Sequence, residues 1–468
     1  MPYDAKSLKA EEFINHEEIM DALAWVDENK NNDKLLAQIM QKAAENKGLN
    51  HREAALLLES GNQDEIFRLA RTIKNKFYGN RVVLFAPLYL SNYCVNSCAY
   101  CPYHVQNKNI ARKKLSQDEI RREVIALQDY GHKRLAIESG EDPVYNPIEY
   151  ILESIETIYG TKHKNGAIRR VNVNIAATTV AEYKMLKQAE IGTYILFQET
   201  YHKEHYKKLH PAGPKSDYAW HTEALDRAMQ GGINDVGTGV LFGLAHYRYD
   251  FIASLMHAEH MEATYGVGPH TISVPRIRAA DGVDTDSFKH GIDDDTFAKI
   301  VACIRISTPY TGIIVSTRES SKCREKVLSV GASQISGGSR TSVGGYEEEE
   351  TINTKQFEVS DSRTLDEVVR WLLEIGYIPS FCTACYHEGR TGDRFMALCK
   401  SEQILNCCHP NALMTLQEYL IDYTSSDNRT IGEKLIESEL ATIPNEAVRR
   451  VVVENLEKIK QGSRDFRI

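Results

Sequence analysis

Between residues 79 and 345 the chain repeats one alternation, a short and nearly continuous apolar run followed by a longer amphipathic stretch. Eight runs read as strands: RVVLFAPLYLS (81–91), RLAIES (134–139), RVNVNIAA (170–177), TYILFQET (193–200), DVGTGVLFGL (235–244), HTISVPRI (270–277), TGIIVST (311–317) and QISGGSRT (334–341). Helical spacing separates most of them, as in DEIRREVIALQDYG and VAEYKMLKQAEIG. Strands apolar on both faces, alternating with helices, predict a parallel sheet covered on both sides. Eight such units predict an α/β fold with a complete (β/α)8 barrel of the TIM type over 79–345. An open doubly wound sheet is the alternative. Residues 1–78 read as a polar helical extension. Residues 346–468, which open on the acidic linker YEEEETINTKQFEVSD, read as a second, helical extension, with runs such as SRTLDEVVRWLLEIG and VRRVVVENLEKIK.

Composition narrows the function. A 468-residue chain that is 42% hydrophobic has the material for a large core. A net charge of −9 argues against nucleic acid as a main partner. The start, MPYDAKSLKAEEFINHEE, lacks the apolar region of a signal peptide. No apolar run approaches the ~18 residues of a membrane span. A cytoplasmic protein without membrane contact is the expectation, and its 10 cysteines then suggest metal binding rather than disulfides.

The chemistry concentrates in NYCVNSCAYCPYH, where Cys94, Cys98 and Cys101 form C-x3-C-x2-C directly after the first strand. Iron–sulfur clusters usually take four cysteines, and the next one is Cys303. Three thiolates would leave one iron of a cube open to a small molecule. Zinc is the alternative, with His104 as a fourth ligand, but this spacing fits the paired ligands of zinc sites poorly. A second set lies in FCTACYHEGRTGDRF and beyond: Cys382, Cys385 and Cys408 make C-x2-C-x22-C. By spacing alone this set reads equally as zinc, completed by Cys407 or His409, or as a second cluster.

C-x3-C-x-aromatic-C, with Tyr100 before the last cysteine, resembles the signature of radical S-adenosylmethionine (SAM) enzymes. With the C-terminal C-x2-C-x22-C, the segment YHKEHYKKLHPAGPKSDY and STRES, nearly the whole chain resembles the tyrosine lyases of [FeFe]-hydrogenase maturation. The 2-iminoacetate synthases of thiamine synthesis share the barrel and the substrate but lack the second cysteine set. A non-catalytic iron–sulfur scaffold is a further alternative, and it needs no complete barrel. The resemblance implies a [4Fe-4S] cluster that binds SAM, and a radical that breaks the Cα–Cβ bond of L-tyrosine to give p-cresol and dehydroglycine. It implies conversion of dehydroglycine to carbon monoxide and cyanide at a second [4Fe-4S]-type cluster, which carries an additional iron bridged by free cysteine. A reducing electron donor and other hydrogenase maturation proteins are the implied partners.

The resemblance also assigns residues. Cys94, Cys98 and Cys101 ligate the SAM cluster, with Tyr100 packing near it. Ser139, Gly140 and Glu141 stand where the family has a GGE-like motif for the methionine amine. Glu199 becomes a SAM contact or a helix-capping acid, and Gly237, Gly239 and Gly243 become an adenine site or packing positions. Arginine is the natural partner of a carboxylate. Arg318 and Arg340, then Arg278, are the candidates for tyrosine, with Ser316 adding a hydrogen bond, and barrel-rim salt bridges are the alternative. Cys382, Cys385 and Cys408 ligate the second cluster. His270 either holds the additional iron, which imidazole suits, or is structural. Active sites of such barrels lie at the C-terminal strand ends, so the C-terminal extension is expected to pack over that rim. His270, at the start of its strand, fits that expectation badly. Cys303, Cys323, Cys399 and Cys407 receive no role.

Overall fold

The computed structural model describes residues 2–347, 351–401 and 403–468, so residues 348–350 of the acidic run lie outside the described residues. The predicted barrel is present and closed. Its strands are β1 (Arg81–Ser91), β2 (Arg134–Ser139), β3 (Arg170–Asn174), β4 (Tyr194–Ile195), β5 (Val236–Gly239), β6 (Thr271–Ser273), β7 (Gly312–Val315) and β8 (Gln334–Ser336). Each pairs in parallel with the next, and β8 returns to β1 through Val83↔Gln334 and Phe85↔Ser336. Along β1 the alternate residues Val82, Leu84, Ala86, Leu88 and Leu90 are buried against the helical shell. Phe85, Pro87 and Tyr89 face the lumen, as the two-residue period of a strand requires. Several strands stop earlier than their apolar runs: β4 keeps two residues and β8 ends at Ser336. Beyond these ends the chain supplies the loops of the upper, C-terminal rim.

The first extension is helical as predicted, ending in the helix Gln63–Tyr78, which shares one core with the helix Asp294–Ser307. Cys303 is part of that core.

The C-terminal extension departs from the sequence reading. Its first part does cross the upper rim: Gln356 and Phe357 line the lumen, and the Ser360 amide donates to the Thr317 carbonyl (2.9 Å). The chain then descends through the helix Leu365–Glu374 into a ninth strand, β9 (Ile378–Ser380), which the sequence reading missed. β9 pairs in parallel with Arg81–Val83. Val83 also pairs with β8, so β9 occupies the other edge of β1, the edge that β2 takes from Ala86 onward. The extension thus closes the lower rim. The expectation that it packs over the C-terminal rim is overturned, because a strand parallel to the start of β1 delivers the following residues beneath the start of β2. One helix, Leu405–Asp422, runs through Pro410.

Candidate active site

At the upper rim, Cys94, Cys98 and Cys101 line one cavity together with Tyr100, Ser139, Gly140, Glu141 and Glu199. The loop that carries the cysteines is held from several sides. The Arg112 guanidinium donates to the carbonyls of Asn92 (2.6 Å), Tyr103 (2.7 Å) and His104 (2.7 Å). The segment after β4 accepts from the loop amides, Ser97 N to Ala212 O (3.0 Å) and Ala99 N to Leu209 O (2.9 Å). Asn96 is the hub. It donates to Glu141 Oε2 (2.6 Å) and accepts from the Lys215 amide (2.9 Å). Gly140 is obligatory at its position, since a Cβ there would lie 2.3 Å from the Tyr93 carbonyl oxygen. Tyr100 is buried, with its hydroxyl 2.7 Å from His210 Nε2. His210 Nδ1 faces the Tyr206 carbonyl at 2.8 Å. A carbonyl only accepts, so Nδ1 carries the proton and Nε2 receives the Tyr100 hydroxyl. Burial pushes His210 down to about 3 and keeps it neutral.

Glu199 sits at φ +69° just beyond β4 and pairs with Lys215 Nζ at 2.8 Å. Burial opposes the Lys215 charge, but Glu199 and the nearby cysteines outweigh it and raise the ammonium above the usual lysine range. Sequence reasoning missed Lys215 and Asn96.

Deeper in the same cavity lie Ser316, Arg318 and Arg278. Arg318 stacks on the Phe357 ring at 3.6 Å, whereas Arg278 is tied to Glu319 Oε2 at 2.6 Å. Arg340 is not part of this cavity. It is exposed, because the chain turns at Gly338 (φ +60°) after β8 ends and carries Arg340 outside the lumen. Gly237 and Gly239 do not line the cavity either. A Cβ on Gly239 would meet the Phe197 ring at 2.4 Å, and one on Gly237 would meet Thr271 Oγ1 at 2.5 Å, so they are packing positions. Gly243 (φ +112°) approaches Ile277 in the same way.

The second cysteine set lies at the opposite end of the barrel. Cys382, Cys385 and Cys408 share a cavity with Arg81, Arg134, Arg170 and Gln334, the first residues of β1, β2, β3 and β8, and with His270 just before β6. His270 therefore stands beside these cysteines, and the sequence-level difficulty about its rim disappears. It is 3.6 Å from Asp235 Oδ1, and its buried Nδ1 has no hydrogen-bond partner. Burial pushes the ring down to about 4, against the pull of Asp235. Cys399 lines this cavity and Cys407 does not. The surroundings are cationic. Arg134 donates to the Cys382 carbonyl (2.7 Å), and Arg170 lies 3.4 Å over the Tyr386 ring, whose hydroxyl bonds Asp235. The neighbouring Cys385 thiol and the Arg81 charge together favour the Cys408 thiolate against burial.

The donor sets fit iron–sulfur clusters. A zinc ion with Zn–S bonds of about 2.3 Å needs its ligand atoms within roughly 4 Å of one another. Among the described residues, the one trio whose ligand atoms all lie within 4.8 Å is Asp294, Glu319 and Cys323, and Arg276 already pairs with both of its acids. In neither cysteine triad do all three sulfurs lie that close together, so neither is a ready tetrahedral zinc site. Burial pushes the Cys98 thiol up to about 12 and raises Cys94 and Cys101 too, so thiolates there require a bound cation.

Comparison with known proteins agrees with this geometry. Residues 88–255 match the Radical SAM superfamily, and residues 273–378 match the Biotin and Thiamin Synthesis associated domain. The crystal structure of HydG, a maturase of the [FeFe]-hydrogenase, is 54% identical with a TM-score of 0.95, covering 97% of this chain and 100% of that one. HydG from Carboxydothermus hydrogenoformans is 36% identical with a TM-score of 0.82, covering 96% and 99%. The 2-iminoacetate synthase of Escherichia coli K12 is 29% identical over 340 residues, 72% of this chain and 86% of that protein. With a relative this similar along nearly its whole length, the chain belongs to the HydG family of [FeFe]-hydrogenase maturases, within the radical SAM superfamily.

Proposed function

We propose that this chain splits L-tyrosine at Cα–Cβ in the upper cavity, giving p-cresol and dehydroglycine, and that dehydroglycine becomes carbon monoxide and cyanide at the lower cavity. The observation that carries the reading is a cysteine triad at each end of one barrel, in a chain matched by HydG along 97% of its length. When bound, a [4Fe-4S] cluster with SAM would supply hydrogen-abstracting radical chemistry above, and a second cluster with an additional iron would supply the metal for the diatomic products below. Cys94, Cys98 and Cys101 hold the first cluster. Ser139, Gly140, Glu141 and Glu199 surround the place for SAM, and Tyr100 is held rigid beside it by neutral His210. Arg318 takes the tyrosine carboxylate, with Ser316 beside it. Arg278, committed to Glu319, is the weaker candidate. Cys382, Cys385 and Cys408 would hold the second cluster, and His270, in the same cavity, would ligate the additional iron, with free cysteine as a further small-molecule ligand. The enclosed lumen excludes water from a reactive intermediate. Loss of water from dehydroglycine as its carbon–carbon bond breaks leaves carbon monoxide and hydrogen cyanide, so the second step balances without an oxidant. An electron donor and other hydrogenase maturation proteins complete the scheme.

The test is anaerobic incubation of reconstituted protein with SAM, dithionite and tyrosine, assaying p-cresol, carbon monoxide and cyanide together. All three products are expected from the intact protein. A Cys382→Ser/Cys385→Ser variant should still form p-cresol but neither diatomic. Intact protein that makes p-cresol without carbon monoxide would instead be a 2-iminoacetate synthase, and absence of SAM cleavage would refute the radical reading.

A further inference from the structure

The upper cavity holds one carboxyl and one guanidinium that close no ion pair among the described residues. Among its charged groups, Lys215 is committed to Glu199, Arg278 to Glu319, and Glu141 to Asn96. Arg318 and Glu138 remain. Arg318 rests on Phe357, and its guanidinium closes no ion pair among the described residues. Glu138, the penultimate residue of β2, projects into the lumen two positions above Ala136, which also lines the cavity. Its Oε1 accepts one hydrogen bond from Asn174 Nδ2 of β3 at 3.0 Å, while Oε2 has no hydrogen-bond partner among the described residues, and the side chain lines the cavity. Burial pushes the Glu138 carboxyl up to about 8 and lowers Arg318, and the attraction between the two offsets this only in part. A buried charge without a partner costs several kcal/mol, and such residues concentrate at functional sites. The two groups interact electrostatically, yet each is anchored separately, one by Asn174 and the other by Phe357. A ligand carrying both charges on one carbon would satisfy both.

We infer that Glu138 binds the α-ammonium group of the substrate while Arg318 binds its carboxylate, so that the cavity selects a zwitterionic α-amino acid. The inference rests on the tyrosine reading above and deepens it. In this arrangement the ammonium donates to Glu138 Oε2, and Asn174 keeps the carboxylate from rotating away. Glu138 is a binding residue that also sets specificity, since an aromatic acid without the amine would leave it unpaired.

The test uses two probes, L-tyrosine and 3-(4-hydroxyphenyl)propanoate, which lacks only the amine. Each is titrated into reconstituted, SAM-loaded protein by anaerobic calorimetry, and KM and kcat for p-cresol are measured alongside. Glu138→Gln is expected to weaken tyrosine binding about tenfold or more, the loss that follows from removing one hydrogen bond between charged groups. The same variant should bind the propanoate as the parent does, which also reports that the cavity is intact. Arg318→Gln should weaken both probes. Equal weakening of both probes by Glu138→Gln, or no effect on tyrosine, overturns the assignment while leaving the tyrosine reading in place. Parent protein that binds no tyrosine overturns both.

Discussion

Single side chains decide whether the upper site can form. Gly140 is the sharpest case. A methyl at this position drives into the Tyr93 carbonyl, so Gly140→Ala is expected to cost about 1–3 kcal/mol by overpacking, read as a lowered denaturation midpoint together with reduced iron uptake. Lys74 offers a test unrelated to catalysis. It is buried beneath the Tyr377 ring, and burial pushes it down to about 7. In the unfolded chain a lysine titrates near 10.4. Between these values the unfolded state binds more protons, so stability rises with pH from about 7 toward 10. Thermal melts of Lys74→Met should lose this contribution, and an unchanged pH slope would show that Lys74 stays charged. Much of this scale was legible in the sequence: cysteine spacing marks both triads, and Arg318 follows a strand. Glu138 was missed, although an acid inside the apolar run RLAIES is itself a signal. Arg340 was misplaced, because an apolar run extending past the real end of β8 hides the turn that expels it.

At the level of elements, the cysteine loop depends on its braces more than on its own sequence. It has no regular structure between β1 and the next helix, Gln117–Asp129, and Arg112 satisfies several of the backbone carbonyls around it. Arg112→Ala is expected to destabilise the protein by about 2–4 kcal/mol, the worth of charged hydrogen bonds to buried acceptors. The iron lost on chelation should come from the upper site first, which spectroscopy of the two clusters can resolve. The strands were legible as elements because apolar runs alternate with amphipathic ones. Their ends were not, since residues such as Val240 and Leu241 are buried in rim loops just as they would be in a strand. β9 was missed for a related reason: three residues containing Pro379 carry no strand signal, and the pairing exists only because the start of β1 leaves an edge open below β2.

Across the whole molecule, the barrel separates the two cysteine triads by its own length. On β2, Arg134 faces the lower cavity, and Ala136 and Glu138 face the upper. On β8, Gln334 and Ser336 divide in the same way. The sites are expected to assemble independently. A Cys94→Ala/Cys98→Ala/Cys101→Ala variant should keep roughly half of the iron and sulfide, all in the lower cluster, and the Cys382→Ser/Cys385→Ser variant should keep the complementary part. Loss of both clusters in either variant would refute independent assembly. No helix among the described residues is long and apolar enough to cross a membrane.

By itself the sequence determined the barrel, because eight apolar runs alternating with helices have few ways to bury their surface. It grouped Cys94, Cys98 and Cys101, because ligands so close in the chain cannot lie far apart in space, whereas Cys408 joined Cys382 and Cys385 only through the family resemblance. Only the tertiary structure decided which rim each set occupies, which arginine turns inward, and that His270 meets Cys382, Cys385 and Cys408. His270 and those cysteines stand more than a hundred positions apart. Their meeting depends on β9 taking the free edge of β1, a pairing between strands with no trace in local periodicity.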